Sequence, residues 1–139
     1  MTPDETVATA TSAARVTVGR YSGTAVLHIQ GELDARTAPA WRAELADAAG
    51  EATVLFDLTG VRVIDSVGLG ALLGAIRAIH EHGGRVAAVG GPAATAVLRD
   101  AGVDRLVFLA DSPVAGLGWL HQPGSYLPPG SARAADDRM

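Results

Sequence analysis

The sequence predicts an α/β fold, a mixed and mostly parallel β-sheet of about five strands with an N-terminal antiparallel hairpin and four α-helices. Near the start of the chain, two short segments rich in β-branched residues flank Ser22-Gly23, a spacing typical of a hairpin. Strand-length apolar segments then alternate with helix-length amphipathic ones, which indicates parallel strands joined by right-handed crossovers. The 139 residues suit one domain. We expect it to span 15–121, after a disordered lead at 1–14 and before a flexible tail at 122–139.

In the first half of the chain, residues 15–21 and 24–30 have the composition of the two hairpin strands. A helix follows, with Thr37 as its predicted cap and Gly50 as its predicted end. The apolar stripe of this helix consists of Trp41, Leu45 and Ala48. Residues 53–58 are almost continuously apolar, which is typical of a central strand covered on both faces.

In the second half, apolar residues at helical spacing predict a helix over 67–82, and Gly83-Gly84 ends it. The remaining predicted elements are a strand at 85–89, a helix from Pro92 to about residue 101, a strand at 106–109 and a helix that Ser112 caps and Pro123 ends.

The composition excludes several kinds of chemistry. There is no cysteine and all 11 basic residues are arginine, so disulfides, thiolate chemistry and lysine Schiff bases are ruled out. The formal net charge of -4 argues against a nucleic-acid partner. No apolar run reaches the roughly 18 residues of a membrane span, and the polar start lacks the features of a signal peptide. We expect a soluble cytoplasmic protein without cofactors, whose partner is another protein.

The sharpest feature is the segment 63–74, which passes from an apolar approach directly into a helix, with Ser66 at the junction. Backbone N–H groups at a helix start, together with the positive end of the helix dipole, favour an oxyanion or a phosphate. Phosphorylation of Ser66 would add roughly 1.5 to 2 negative charges. It would therefore alter any surface that binds over this helix start while leaving the fold intact.

A plainer interpretation is that Ser66 or Asp65 serves only as the helix N-cap, which stabilises a helix by about 1 kcal/mol. The helix is also rich in glycine, and each glycine costs roughly 1 kcal/mol relative to alanine. Close packing of the helix on the sheet would explain these small residues, and so would a bare helix start that a partner approaches. The small residues of this helix are Gly68, Gly70, Ala71, Gly74 and Ala75.

Two enzymatic patterns fail at the same segment. A hydrolase nucleophile elbow requires glycine two residues before the serine, where Ile64 stands. A dinucleotide-binding G-x-G-x-x-G is absent, because Gly68, Gly70 and Gly74 have one residue too many. The histidines include no pair at the i, i+4 spacing of helical metal ligands. We therefore predict no catalytic residue and no metal site.

Three motifs carry a resemblance to the STAS family, in particular to stand-alone bacterial anti-sigma factor antagonists, over about residues 16–120. They are Gly31-Glu32-Leu33-Asp34, Asp57-Leu58 and above all Asp65-Ser66 followed by Gly68-Leu69. The resemblance implies the STAS fold and makes Ser66 the phosphoacceptor of an anti-sigma factor that is also a serine kinase. The unphosphorylated form would bind that kinase and release a sigma factor. Phosphorylation would reverse the binding, and a phosphatase would reset the system.

The resemblance also implies a partner-binding face made of Asp34 and the helix start. Asp34 would support phosphorylation or contact the partner, and a turn or capping role is the alternative. Asp57 is expected to serve the structure. A valine stands where the family often has a second Ser or Thr, which leaves one acceptor in the motif. The helix-start residues of this face are Asp65, Ser66, Val67, Gly68 and Leu69.

Two other hypotheses stay open at this point. One is a STAS subunit of a stress-sensing assembly or of a lipid-transport complex, in which Ser66 contacts a partner but is never modified. The other is an enzyme whose residues the sequence does not reveal. Phosphate found on Ser66 after incubation with the kinase and ATP would favour the phosphorylation switch over both of these hypotheses.

Overall fold

A computed structural model describes residues 7–10, by their backbone alone, and residues 13–122. One mixed sheet contains six strands in the order β1-β2-β3-β4-β5-β6. They are β1 (Val7–Ala10), β2 (Ala14–Tyr21), β3 (Thr24–Leu33), β4 (Thr53–Ile64), β5 (Arg85–Gly90) and β6 (Phe108–Ala110). The β1–β2 and β2–β3 pairs are antiparallel, and the other three pairs are parallel. The predicted α/β class, with its mostly parallel sheet and opening hairpin, is confirmed.

Four helices cover the two faces of the sheet: α1 (Ala38–Ala48), α2 (Ser66–Glu81), α3 (Pro92–Asp100) and α4 (Pro113–Leu120). Side chains alternate between the faces of a strand, so neighbours in β3 belong to different cores. Leu27 packs with the core under α1, α2 and α3, whereas Val26 packs with Leu117 and Leu120 of α4. Within the described residues, no helix is long and apolar enough to cross a membrane.

The hairpin turn is formed as predicted. Tyr21 pairs with Thr24, and the two residues between them have positive φ angles, 52° at Ser22 and 85° at Gly23. Two-residue turns of this kind match the twist of the strands that they join.

The N-terminal lead differs from the prediction. Val7–Ala10 lie in β1, which pairs antiparallel with Arg15–Val18 of β2, and Ala14 begins β2, so the prediction of disorder for 1–14 is wrong for these five residues. Pairing satisfies the backbone groups along an otherwise open edge of β2. Residues 1–6, 11–12 and 123–139 lie outside the described part, and so does the predicted flexible tail apart from Gln122.

Strand β4 is twice as long as predicted, because it continues from Leu58 to Ile64. The pairing with β3 shifts register between His28 and Gln30 and again after Gly31, and such irregularities let a strand bend without ending. This extension carries the chain to the end of β3, where α2 begins. At the far edge, β6 begins at Phe108 rather than at 106, because Leu106 ends a short 3-10 turn.

Arg85, the first residue of β5, ties α4 to the sheet. Its guanidinium donates hydrogen bonds to the carbonyl oxygens of Trp119 (3.0 Å), Leu120 (2.9 Å) and Gln122 (3.1 Å). It also lies 4.6 Å from the centre of the Trp119 ring. The last carbonyl oxygens of a helix receive no hydrogen bond from an N–H of the same helix. The Arg85 guanidinium therefore supplies donors that α4 itself lacks.

Candidate functional site

The predicted site residues meet where β3 and β4 end. Leu33 pairs with Ile64 in the parallel ladder, and the Asp65 N–H donates to the Leu33 carbonyl at 3.2 Å. The chain leaves β3 through a loop, residues 34–37, and leaves β4 directly into α2. We call this region, residues 34–37 and 65–69, the Ser66 corner.

Asp65 is the N-cap of α2. Its Oδ1 accepts a hydrogen bond from the Gly68 N–H at 2.9 Å, as a capping side chain does. Its Oδ2 accepts a second one from the Ala35 N–H at 3.2 Å. One carboxylate therefore holds both the helix start and the neighbouring loop.

Ser66 is the first residue of α2, and its side chain is exposed. Because Asp65 supplies the cap, capping does not explain Ser66, and only the Asp65 half of that interpretation is correct. Nowhere in the described chain does a hydrogen bond hold the Ser66 hydroxyl. Val67 beside it is 40% exposed. The hydroxyl is thus open to a partner.

The glycines of α2 have two different explanations. A Cβ on Gly68 would lie 2.1 Å from the Leu33 carbonyl oxygen, so this glycine allows the helix to pack on the end of β3. Nothing lies within 4 Å of a Cβ on Gly70 or Gly74, and both are exposed. Leu69 is partly buried against the core. Close packing and a bare surface therefore both occur, at different residues.

Asp34 is buried, with 7% of its surface exposed. Its Oδ1 accepts from the Thr37 N–H at 3.1 Å, and the Arg36 guanidinium lies 3.3 Å from its Oδ2. Burial raises the pKa of this carboxyl, but the Thr37 N–H and the Arg36 charge outweigh it and leave the pKa below the ordinary 3.8. These bonds lie within the loop itself, so Asp34 shapes the loop beside Ser66.

Thr37 occupies the N-cap position of α1 as predicted, but its side chain makes no capping hydrogen bond. Its hydroxyl accepts from the Trp41 indole N–H at 2.9 Å and from the Asp34 N–H at 3.1 Å. It donates to the Glu32 carbonyl at 2.6 Å. A buried indole N–H needs an acceptor, so the hydroxyl turns away from the helix start and fixes the loop.

Charged side chains of both signs flank the corner. Glu32 forms an ion pair with Arg36, and its second oxygen lies 3.8 Å from the Arg62 guanidinium. The two arginine side chains are 71% and 67% exposed. Exposed pairs of this kind add little stability, so the arginines are available to a binding partner.

An apolar surface beside Ser66 was not predicted. Val63 is 47% exposed, and a shallow groove of about 250 Å³ runs between β4 and α3. Its lining residues are Arg62, Val63, Ile64, Ala93, Ala94 and Val97. Val63 belongs to the apolar run before Ser66, but only the extended β4 shows that its side chain faces solvent.

Asp57 lies on the sheet, away from the corner. Its Oδ2 is 2.8 Å from His28 Nδ1 on β3, and its Oδ1 accepts from the Thr59 hydroxyl at 2.7 Å. These contacts satisfy a mostly buried carboxylate. Among the described residues, no group of three His, Asp or Glu side chains could hold a metal ion.

Comparisons with known proteins agree with this geometry. The family model described as the STAS domain matches residues 15–115. An anti-sigma factor antagonist from Mycobacterium paratuberculosis has a similar structure, with 25% identity and a TM-score of 0.72 over 82% of this chain and 99% of that one.

Two further solved structures share the fold. The anti-sigma factor antagonist SpoIIAA in its unphosphorylated form is 23% identical, with a TM-score of 0.59 over 72% of this chain and 91% of that one. The Bacillus cell fate determinant SpoIIAA in the phosphorylated form is 21% identical, with a TM-score of 0.60 over 76% and 99%. No curated protein sequence matches the chain.

Proposed function

The chain belongs to the STAS domain family, and from this premise we propose that it is an anti-sigma factor antagonist switched by phosphorylation of Ser66. In this proposal the unphosphorylated form binds an anti-sigma factor with serine kinase activity, and a sigma factor is released. The kinase phosphorylates Ser66 and thereby ends the binding, and a phosphatase restores it.

The observation that carries the proposal is the exposed Ser66 hydroxyl at a helix start whose cap is another residue. Asp65 already accepts the Gly68 N–H, so the cap of α2 does not depend on the Ser66 hydroxyl. The positive end of α2 tolerates the added negative charge. Phosphorylation can therefore change the surface and leave the domain folded.

The proposed docking face includes the Ser66 corner and the apolar surface next to it. Val67 and Val63 are 40% and 47% exposed, which is where a partner would bury apolar area around the hydroxyl. The exposed Arg36 and Arg62 guanidiniums supply charge at the rim. Phosphate on Ser66 would stand in the part of this contact where the partner buries apolar area, and not at its charged rim. A thousandfold loss of affinity corresponds to about 4 kcal/mol, within the range of one buried unpaired charge.

The test combines modification with binding. The purified chain is incubated with candidate anti-sigma kinases of the source genome and Mg-ATP, and mass spectrometry locates the phosphate. Binding to the same kinases is then measured for the parent, Ser66→Ala and Ser66→Asp. We expect phosphate on Ser66, parent-like binding by Ser66→Ala and a loss of about a thousandfold for Ser66→Asp.

Val114→Asp is the matched control, because Val114 is 69% exposed in the first turn of α4, away from the corner. It adds the same charge at another helix start, and we expect parent-like binding. Tight binding by Ser66→Asp, together with no phosphate on Ser66, would overturn the switch and leave a STAS subunit that binds without modification.

A further inference from the structure

Asp65 is the one described residue whose side chain bonds both to the start of α2 and to the loop after β3. Its two oxygens have different partners, Gly68 N–H at 2.9 Å and Ala35 N–H at 3.2 Å. The bond to the helix is the shorter of the two. The bond to the loop is expected to yield first when the carboxylate is disturbed, because Ala35 is exposed to water whereas Gly68 is buried.

A phosphate on Ser66 would disturb that carboxylate in two ways. It would place roughly 1.5 to 2 negative charges on the neighbouring residue, and like charges at this range repel. It would also compete for the helix start, because the first N–H groups of a helix have no acceptor inside it. Both effects act on Asp65, the residue next to Ser66.

The rest of the loop is fastened independently of Asp65. Thr37 binds Asp34 and the Glu32 carbonyl through its hydroxyl, and the Asp34 carboxylate accepts from the Thr37 N–H. Ala35 is exposed, so water can replace its lost acceptor at little cost. Release of the Asp65 bond would thus free the Ala35 backbone N–H without unfolding the corner.

We propose that Asp65 is a positioning residue which transmits phosphorylation from Ser66 to the loop at 34–37. In the unmodified protein its carboxylate fixes Ala35, and with it the backbone that presents Arg36. Phosphate on Ser66 breaks this bond, so the modified corner differs from the unmodified one in shape as well as in charge. This inference rests on the proposed function of Ser66.

The test needs no kinase. Phosphoserine is introduced at position 66 by genetic encoding into the full chain labelled with ¹⁵N, and NMR follows the hydrogen exchange of the Ala35 and Gly68 amides. In the parent we expect phosphoserine to speed exchange at Ala35 by about tenfold, the size expected when a hydrogen bond to a charged acceptor is lost. The amide resonance of Ala35 shifts at the same time.

Asp65→Asn provides the decisive comparison. Its side chain keeps one acceptor oxygen and loses the charge, so it cannot serve both amides and is not repelled by phosphate. We expect phosphoserine to change exchange at Ala35 by less than about twofold in this variant. Ser112→Ala removes the cap of α4 and should leave the tenfold response of Ala35 intact.

The outcomes separate this inference from the proposed function. Equal exchange at Ala35 in the phosphorylated and unmodified parent, or the same response in Asp65→Asn as in the parent, overturns the role of Asp65. If phosphoserine also weakens kinase binding in that case, the switch survives and acts by charge alone. A response at Ala35 that depends on Asp65 supports the transmission even where kinase binding is unchanged, and the proposed function then fails by itself.

Discussion

Helices α2 and α4 begin in the same way and differ in what surrounds the start. Both follow a strand, and both have a capping side chain that accepts the N–H of the third helical residue, Asp65 to Gly68 and Ser112 to Ala115. In α2 the first residue is an exposed serine, whereas in α4 it is Pro113. The Asp65 carboxylate also holds Ala35, and the only acceptor role described for the Ser112 hydroxyl is the cap.

This difference shows that a capped helix start is not by itself a site. Most of what distinguishes α2 comes from its neighbour β3, whose end supplies Leu33 under the third helical residue and Ala35 beside the cap. The corner is thus built from two chain segments, and variants matched between the two helices can test each contribution.

The largest effect is expected at the third residue of each helix. Gly68→Ala forces a Cβ against the Leu33 carbonyl at 2.1 Å, and backbone there cannot move without shifting the helix from the sheet. We expect a loss of about 3 kcal/mol in the free energy of unfolding, measured by urea denaturation. Ala115→Gly in α4 should cost only about 1 kcal/mol. A larger loss for Ala115→Gly would contradict the packing argument.

The caps themselves come next. Asp65→Ala removes two hydrogen bonds and is expected to lower the free energy of unfolding by about 2 kcal/mol, whereas Ser112→Ala removes one and should cost about 1 kcal/mol. Thermal and urea unfolding of both variants measure the difference. Equal losses would mean that the bond to Ala35 adds nothing to the stability of the free protein.

The outer glycines of α2 give a smaller effect of the opposite sign. A Cβ on Gly74 meets nothing within 4 Å, so Gly74→Ala should raise the free energy of unfolding by up to about 1 kcal/mol through helix propensity. Urea denaturation measures this gain, with Gly68→Ala as the destabilising reference. A loss of stability at Gly74 would show that the surface there is closed.

The smallest expected effect is a pH dependence in the loop. The pKa of Asp34 is lower in the folded protein than its ordinary 3.8, so its contribution to stability is complete above that pH and is lost as pH falls through the folded value. The free energies of unfolding of the parent and of Asp34→Asn, measured across the acid range, should therefore differ less at the lowest pH. A difference that stays constant with pH would contradict this origin.

The elements of the fold could largely be predicted because their signals are local. Ser22-Gly23 marks the hairpin turn, the stripe over 67–82 marks α2, and Ser112 caps α4 as its sequence context indicates. The length of β4 could not be predicted in this way. Thr59-Gly60 is typical of the end of a strand. The strand continues past these residues because its pairing with β3 shifts register.

The positions of Asp65 and Ser66 could be predicted from the sequence better than their contacts. Sequence placed Asp65 and Ser66 at the helix start but could not say which one is the cap, because both residue types favour that position. The sequence also predicted Thr37 as a cap, because it does not reveal that the Thr37 hydroxyl instead accepts the indole N–H of Trp41, one helical turn further along. The exposure of Val63 depends on packing between β4 and α3, which no local pattern encodes.

The hydrogen bonds of Arg85 have a practical consequence for experiments on this protein. Because β4 and β5 run parallel, the first residue of β5 lies beside the start of β4, at the end of the sheet opposite Ile64. Arg85 holds the Gln122 carbonyl there, so the described chain ends on the far side of the domain from Ser66. Attachment to a sensor surface through position 122 should consequently leave the corner facing the solution.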